Sequence, residues 1–150
     1  MESIVSFLSG RRPVLALLAV LSVLLFSSCE SAFPNDKLDN FWRLDRMDYR
    51  DGTPGVDAKG IYFGIARNII QIENHQRNFD VYGVLTDMGD SIRLDFSESR
   101  INGNHNAPFI KENLAYCGLD SIVSVFKVES LNRSEMVLSN GKVRLSFEKW

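Results

Sequence analysis

Ile92-Arg93-Leu94-Asp95-Phe96 alternates apolar and charged side chains without a break. Successive side chains of a strand point to opposite faces, so this window sends Ile92, Leu94 and Phe96 to one side and Arg93 and Asp95 to the other. The same period recurs on both sides of it. Upstream, Phe79, Val81, Gly83 and Leu85 share a phase and reach the window through the turn Asp87-Met88-Gly89-Asp90. Before them stand Ile70 with Ile72, then Ile61 with Phe63 and Ile65, then Trp42 with Leu44. Downstream, Ile122, Ser124, Phe126 and Val128 lead to Met136 with Leu138, and Asn140-Gly141 joins those to Val143, Leu145 and Phe147. Asn-Gly supplies the positive φ that a two-residue hairpin turn demands. Asp51-Gly52 with Pro54-Gly55, Arg67-Asn68 and the polar run 74–78 mark further turns. Residues 97–106 form a long polar connection, and the stretch 109–116 predicts one or two helical turns.

Eight amphipathic strands with short links would leave two exposed edges in an open sheet, and closure into a barrel removes them. The expected fold is therefore all-β, an eight-stranded antiparallel up-and-down barrel over residues 39–150, with a β-sandwich of the same strands as the competing architecture. About twenty inward apolar side chains, at roughly 1.5–3 kcal/mol each, fold such a domain without disulfides.

The 150 residues, 45% of them hydrophobic, fit one domain. Two cysteines, Cys29 and Cys117, exclude a disulfide framework and a cysteine-based zinc site. Without residues 1–28 the 17 basic residues lose Arg11 and Arg12 and the 19 acidic ones lose Glu2, leaving 15 − 18 = −3. A nucleic-acid partner, which calls for a basic surface, is disfavoured.

Residues 1–28 read as an export signal: Arg11-Arg12, an apolar run over 13–26, then Ser27-Ser28. Leu24-Leu25-Phe26-Ser27-Ser28-Cys29 resembles a bacterial lipobox, with Phe26 where the pattern prefers Leu, Val or Ile. The resemblance implies lipid attachment at Cys29, a mature chain beginning there, and membrane partnership through the anchor. The protein is then expected to be exported and held at the cell envelope, first at the outer membrane, facing the periplasm or the surface. Residues 29–38 read as the lipidated cysteine and a flexible tether.

Asn40-Phe41-Trp42-Arg43-Leu44, the late run Leu131-Asn132-Arg133-Ser134-Glu135-Met136-Val137-Leu138 and the closing Val143-Arg144-Leu145-Ser146-Phe147-Glu148-Lys149-Trp150, with the lipobox cysteine upstream, resemble the lipocalin-like domains of small bacterial, Gram-negative lipoproteins. In lipocalins a Gly-x-Trp opens the first strand and its Trp closes the barrel floor beneath an Arg of the last strand. Here Asn40 replaces the Gly, and Arg144 or Lys149 would take the place of that Arg.

Catalytic chemistry finds few candidates. His75 and His105 lie in polar loops, and a Glu73/His75 metal pair lacks a third ligand unless His105 supplies it. Cys117 has no basic neighbour to activate it, and no Gly-x-Ser-x-Gly or Gly-rich phosphate cradle occurs. The expectation is a non-enzymatic protein with no catalytic residues, no metal and no cofactor. The lumen of an eight-stranded barrel either fills with its own side chains or holds one small ligand. Trp42, Phe63, Phe79, Phe96, Phe126 and Phe147 point inward on this register and argue for a mostly filled lumen. Any pocket is then small and near one mouth, beside Gly83. These seven residues are the candidate ligand-binding set for a small apolar or amphipathic molecule. The alternative is a filled barrel whose outer face, with Tyr62 and Tyr82, or long polar loop from Ser97 to Asn106 contacts an envelope protein or glycan. Asp90-Ser91-Ile92 and Asp120-Ser121-Ile122 also match a periplasmic O-glycosylation triplet, which strand-opening polar residues produce as well.

Overall fold

The computed structural model describes residues 37–101 and 106–150; the expected export signal, Cys29, His105 and most of the expected tether lie outside the described residues. Among the described residues nine strands and one helix follow in order: β1 Asn40–Tyr49, β2 Val56–Asp57, β3 Ile61–Ala66, β4 Ile69–Asn74, β5 Phe79–Asp87, β6 Ser91–Asp95, α1 Ala107–Ala115, β7 Val123–Leu131, β8 Glu135–Ser139 and β9 Val143–Lys149. Each of β3 to β9 pairs antiparallel with its sequence neighbour, β1 pairs with β3, and β1 also pairs with β9. That last ladder, from Trp42↔Lys149 to Tyr49↔Val143, closes an eight-stranded up-and-down barrel and disposes of the sandwich.

Three differences from the sequence reading have local causes. The first strand is longer than Trp42-Leu44 because a register shift between Leu44 and Arg46 lets Leu44 and Met47 both turn inward, with Asp45 and Arg46 exposed between them. A strict period of two misses Met47. Beyond β1 the chain returns through residues 50–55 and adds the two-residue β2, paired Arg46↔Asp57 and Met47↔Val56. Ile122 stands ahead of β7, half-buried, and the strand begins at Val123.

The barrel has two dissimilar ends. At the floor lie the start of β1 and the turns 67–68, 88–90 and 132–134. Leu38, expected in the tether, is buried there, and its carbonyl accepts Trp42 Nε1–H at 2.9 Å. At the mouth, β6 and β7 are joined by the long segment carrying α1. Asn106 caps α1, its side chain accepting Phe109 N–H at 3.3 Å, and Pro108 in the first turn has no N–H to satisfy. Gly118, with φ +83°, ends it: Leu119 N–H returns to Leu114 O and Gly118 N–H to Ala115 O, both at 3.1 Å. Ile101, Ile110, Leu114, Cys117 and Leu119 join the barrel core, so α1 and its flanks stop the mouth.

Candidate functional site

The six inward rings all reach the core: Trp42, Phe63, Phe96 and Phe126 keep no accessible surface, Phe147 keeps 2% and Phe79 6%. A void large enough for water would leave surface on the rings around it, so the lumen beside these four is solid. Phe63 and Phe147 meet edge to face, centroids 4.8 Å apart. Gly83 offers no room. A Cβ there would stand 2.6 Å from Phe96 Cδ1 and 2.8 Å from the Asp95 carbonyl oxygen. The missing side chain is the seat of the Phe96 ring, which corrects the expected pocket.

Space opens instead outside the core, at the mouth. A cleft of about 670 Å³ lies between the end of β1 (Tyr49, Arg50, Asp51), the exit of α1 (Ala115, Gly118, Asp120) and the β8–β9 turn (Asn140, Gly141, Lys142, Val143). The backbone ties the end of β1 to the β8–β9 turn, since Arg50 N–H donates to Lys142 O at 2.8 Å, and Asn140 N–H closes that turn on Val143 O at 3.0 Å. A Cβ at Gly118 would come within 2.6 Å of Leu145 Cδ2, so only glycine lets the helix exit pass so close to β9. Tyr49, Ala115 and Val143 give the cleft an apolar wall. Its rim is charged: Lys142 pairs with Asp120, and Arg50 lies 3.8 Å from Glu129. Hydrogen bonds from Ser139 and then Arg144 hold the Glu129 carboxyl below its ordinary range, and Thr53 does the same for Asp51. Both therefore stay ionised at neutral pH. None of the ring residues lines this cleft, and nothing in a period-two reading marks it, because it is built from turns and a helix end.

His75 Nε2 is 3.0 Å from Glu73, with its ring 4.9 Å from that of Tyr62, and among the described residues no three His, Cys, Asp or Glu side chains gather as a metal site. Cys117 is buried at the mouth, where Asn74 Nδ2 donates to its sulfur at 3.8 Å. Burial pushes its thiol up to about 12, so it carries no nucleophilic thiolate at neutral pH. The folded protein holds this proton past pH 9, where the unfolded chain releases it, so stability is lost as pH rises between about 9 and about 12. The expected slope is about 1.4 kcal/mol per pH unit from this group alone. Urea unfolding of the wild type and Cys117→Ala at several pH values in that window checks it, since the variant lacks this contribution.

Arg144 is not beneath Trp42: it turns outward and its Nε donates to Glu129 at 2.8 Å. Lys149 instead pairs opposite Trp42 in the β1–β9 ladder. Tyr62, on the outer wall, stacks on Phe41 at 5.5 Å and meets Trp150 edge to face at 5.2 Å, with Arg43 over the Trp150 ring. Tyr82 is half exposed on the outer wall of β5, two strands away.

The profile of a family described as a lipocalin-like domain matches residues 24–150. Among solved structures, a lipocalin-like protein from Bacteroides uniformis is 18% identical with a TM-score of 0.58, over 76% of this chain and 99% of that one. A Bacteroides eggerthii protein described as uncharacterized is also 18% identical, with a TM-score of 0.52, over 74% of this chain and 98% of that one. No curated protein matches the chain.

Proposed function

Because the chain belongs to the lipocalin-like domain family, a ligand-binding type of barrel, we propose that it is a non-enzymatic binder of a small amphipathic molecule, held in the mouth cleft and not in the lumen. The carrying observation is that cleft, whose volume of about 670 Å³ is that of a small-molecule site, above a lumen left without space beside Trp42, Phe63, Phe96 and Phe126. An apolar tail lies against Tyr49, Ala115 and Val143, and a polar end meets Arg50 or Lys142 at the rim. Native mass spectrometry of the purified protein, followed by titration with a fluorescent fatty acid, tests this. The expected result is a lipid-sized adduct, and at least roughly tenfold weaker probe binding by Ala115→Trp, which fills the cleft from the exposed end of α1. A bare mass with no probe binding refutes it.

The reading extends to the cell envelope: Cys29 is acylated and anchors the exported barrel to a membrane, first the outer membrane. The lipobox-like run 24–29 supports it. Labelled palmitate is expected in the wild type and absent from Cys29→Ser, which should retain residues 1–28; equal labelling of both would refute the assignment.

One observation favours the second reading, an interaction module for an envelope protein. Ile69, Tyr82, Val84, Val123 and Val125 are 36–52% exposed on the outer wall of β4 to β7, around the Arg93–Asp95 pair. Photocrosslinking in cells from position 84 is expected to give one discrete adduct if this wall is occupied.

A further inference from the structure

The floor of the barrel carries a second cleft, of about 700 Å³, lined by Lys37, Asn40, Leu131, Asn132, Arg133 and Lys149. Three of these six are cations and none is a carboxylate. Several arginines elsewhere on the barrel are neutralised by carboxylates: Arg43 by Glu148, Arg46 by Asp48, Arg93 by Asp95 and Arg144 by Glu129. Among the described residues, Lys37, Arg133 and Lys149 have no such partner. Each is exposed, and their proximity is the more notable in a chain whose charge from residue 29 onward is 15 − 18 = −3. The turn geometry adds a donor. Asn132 Oδ1 is engaged by the backbone N–H groups of Ser134 and Glu135, both at 2.9 Å, which leaves its Nδ2 group to donate.

We infer that this cleft binds the phosphate-bearing headgroup of an anionic membrane lipid. A guanidinium and two ammonium groups with amide donors beside them are the chemistry of a phosphate site, Arg133 by its fork and the lysines as point charges. The membrane as the source follows from chain length and rests on the anchor reading. Lys37 is 37 − 29 = 8 residues from Cys29, a fully extended span of at most about 29 Å. A tether that short keeps the floor within reach of the bilayer, so a weak site suffices. Basic residues at an anionic surface act only within about one Debye length, roughly 8 Å at physiological salt, so the headgroups must touch the floor and not the mouth.

The test is amide hydrogen exchange of the full chain in bilayer discs of phosphatidylcholine alone and of phosphatidylcholine with phosphatidylglycerol. Anionic discs are expected to slow exchange roughly tenfold in residues 37–40 and 131–135, leaving the mouth turn 140–142 unchanged. Lys37→Glu/Arg133→Glu/Lys149→Glu is expected to abolish the effect with an unchanged melting temperature. Arg133→Ala alone, in an exposed turn, is expected to weaken it should the triple variant be unstable. Equal exchange in both discs overturns the inference, as does the same protection in neutral discs on adding inorganic phosphate, which would make it a free-anion site. A chain that fails to associate with neutral discs refutes the anchor instead. The headgroup site is then read in anionic discs alone, where unprotected 131–135 overturns it.

Discussion

Trp42→Ala is expected to lower the stability of the domain by about 3–5 kcal/mol, enough to unfold much of it at 37 °C. Trp42 is the largest side chain with no accessible surface, and it sits where the barrel closes, opposite Lys149 on β9 and Phe63 on β3. Its removal leaves a cavity that the two ladders beside it prevent from collapsing. It also strips the Leu38 carbonyl of the indole N–H that holds the entering chain onto the floor. Denaturant unfolding followed by far-UV circular dichroism gives the loss directly. Trp42→Phe keeps most of the volume but not the hydrogen bond and should fall between the two. A loss below about 1 kcal/mol for the alanine would mean that the floor is not packed as described.

Gly83→Leu is expected to destabilise by about 1–3 kcal/mol or more, even though glycine inside a strand is normally replaced at a gain. The new Cβ would fall 2.6 Å and 2.7 Å from two atoms of the Phe96 ring and 2.8 Å from a backbone oxygen. The ring can swing, but the backbone oxygen cannot follow. Phe96→Ala in the same chain should return part of the lost stability by vacating the ring's volume. A double-mutant cycle is therefore expected to give a coupling energy above about 1 kcal/mol. Additive effects would show that the ring does not rest on Gly83. The same substitution leaves the mouth cleft untouched, so ligand retention in a folded Gly83→Leu protein separates the mouth site from any site in the lumen.

How far the chain can be read without its structure depends on how local each signal is. The alternations at Ile92-Leu94-Phe96 and Val143-Leu145-Phe147 are complete within five residues, and both strands stand as expected with every named side chain buried. Met47 escaped because a bulge adds a residue to β1, and the evidence for a bulge is in the partner strand, about a hundred residues away. The helix over 107–115 was legible only as a turn or two near 109–116. Its apolar residues Ile110 and Leu114 are spaced for one face, but what they cover is the barrel mouth, visible only once the barrel is closed. The candidate site was less legible than the fold. Six rings were correctly placed inward, yet their packing together is what denies them a pocket. Gly83 was read as space when it is contact. The mouth cleft draws on residues 49–51, 115–120 and 140–143, three separate parts of the chain that no short-range pattern joins.

The pairing of β1 with β9 has a consequence in time as well as in space. Trp42 meets Lys149, so the ladder that seals the barrel joins positions 149 − 42 = 107 residues apart. Contacts of such separation form late, since the loop entropy must be met before they contribute. A chain delivered from its N-terminus, by a ribosome or through a translocation channel, therefore has no last neighbour for β1 until its final strand emerges. It stays threadable until β9 has emerged and seals only then, which is what the export proposed above would require of it.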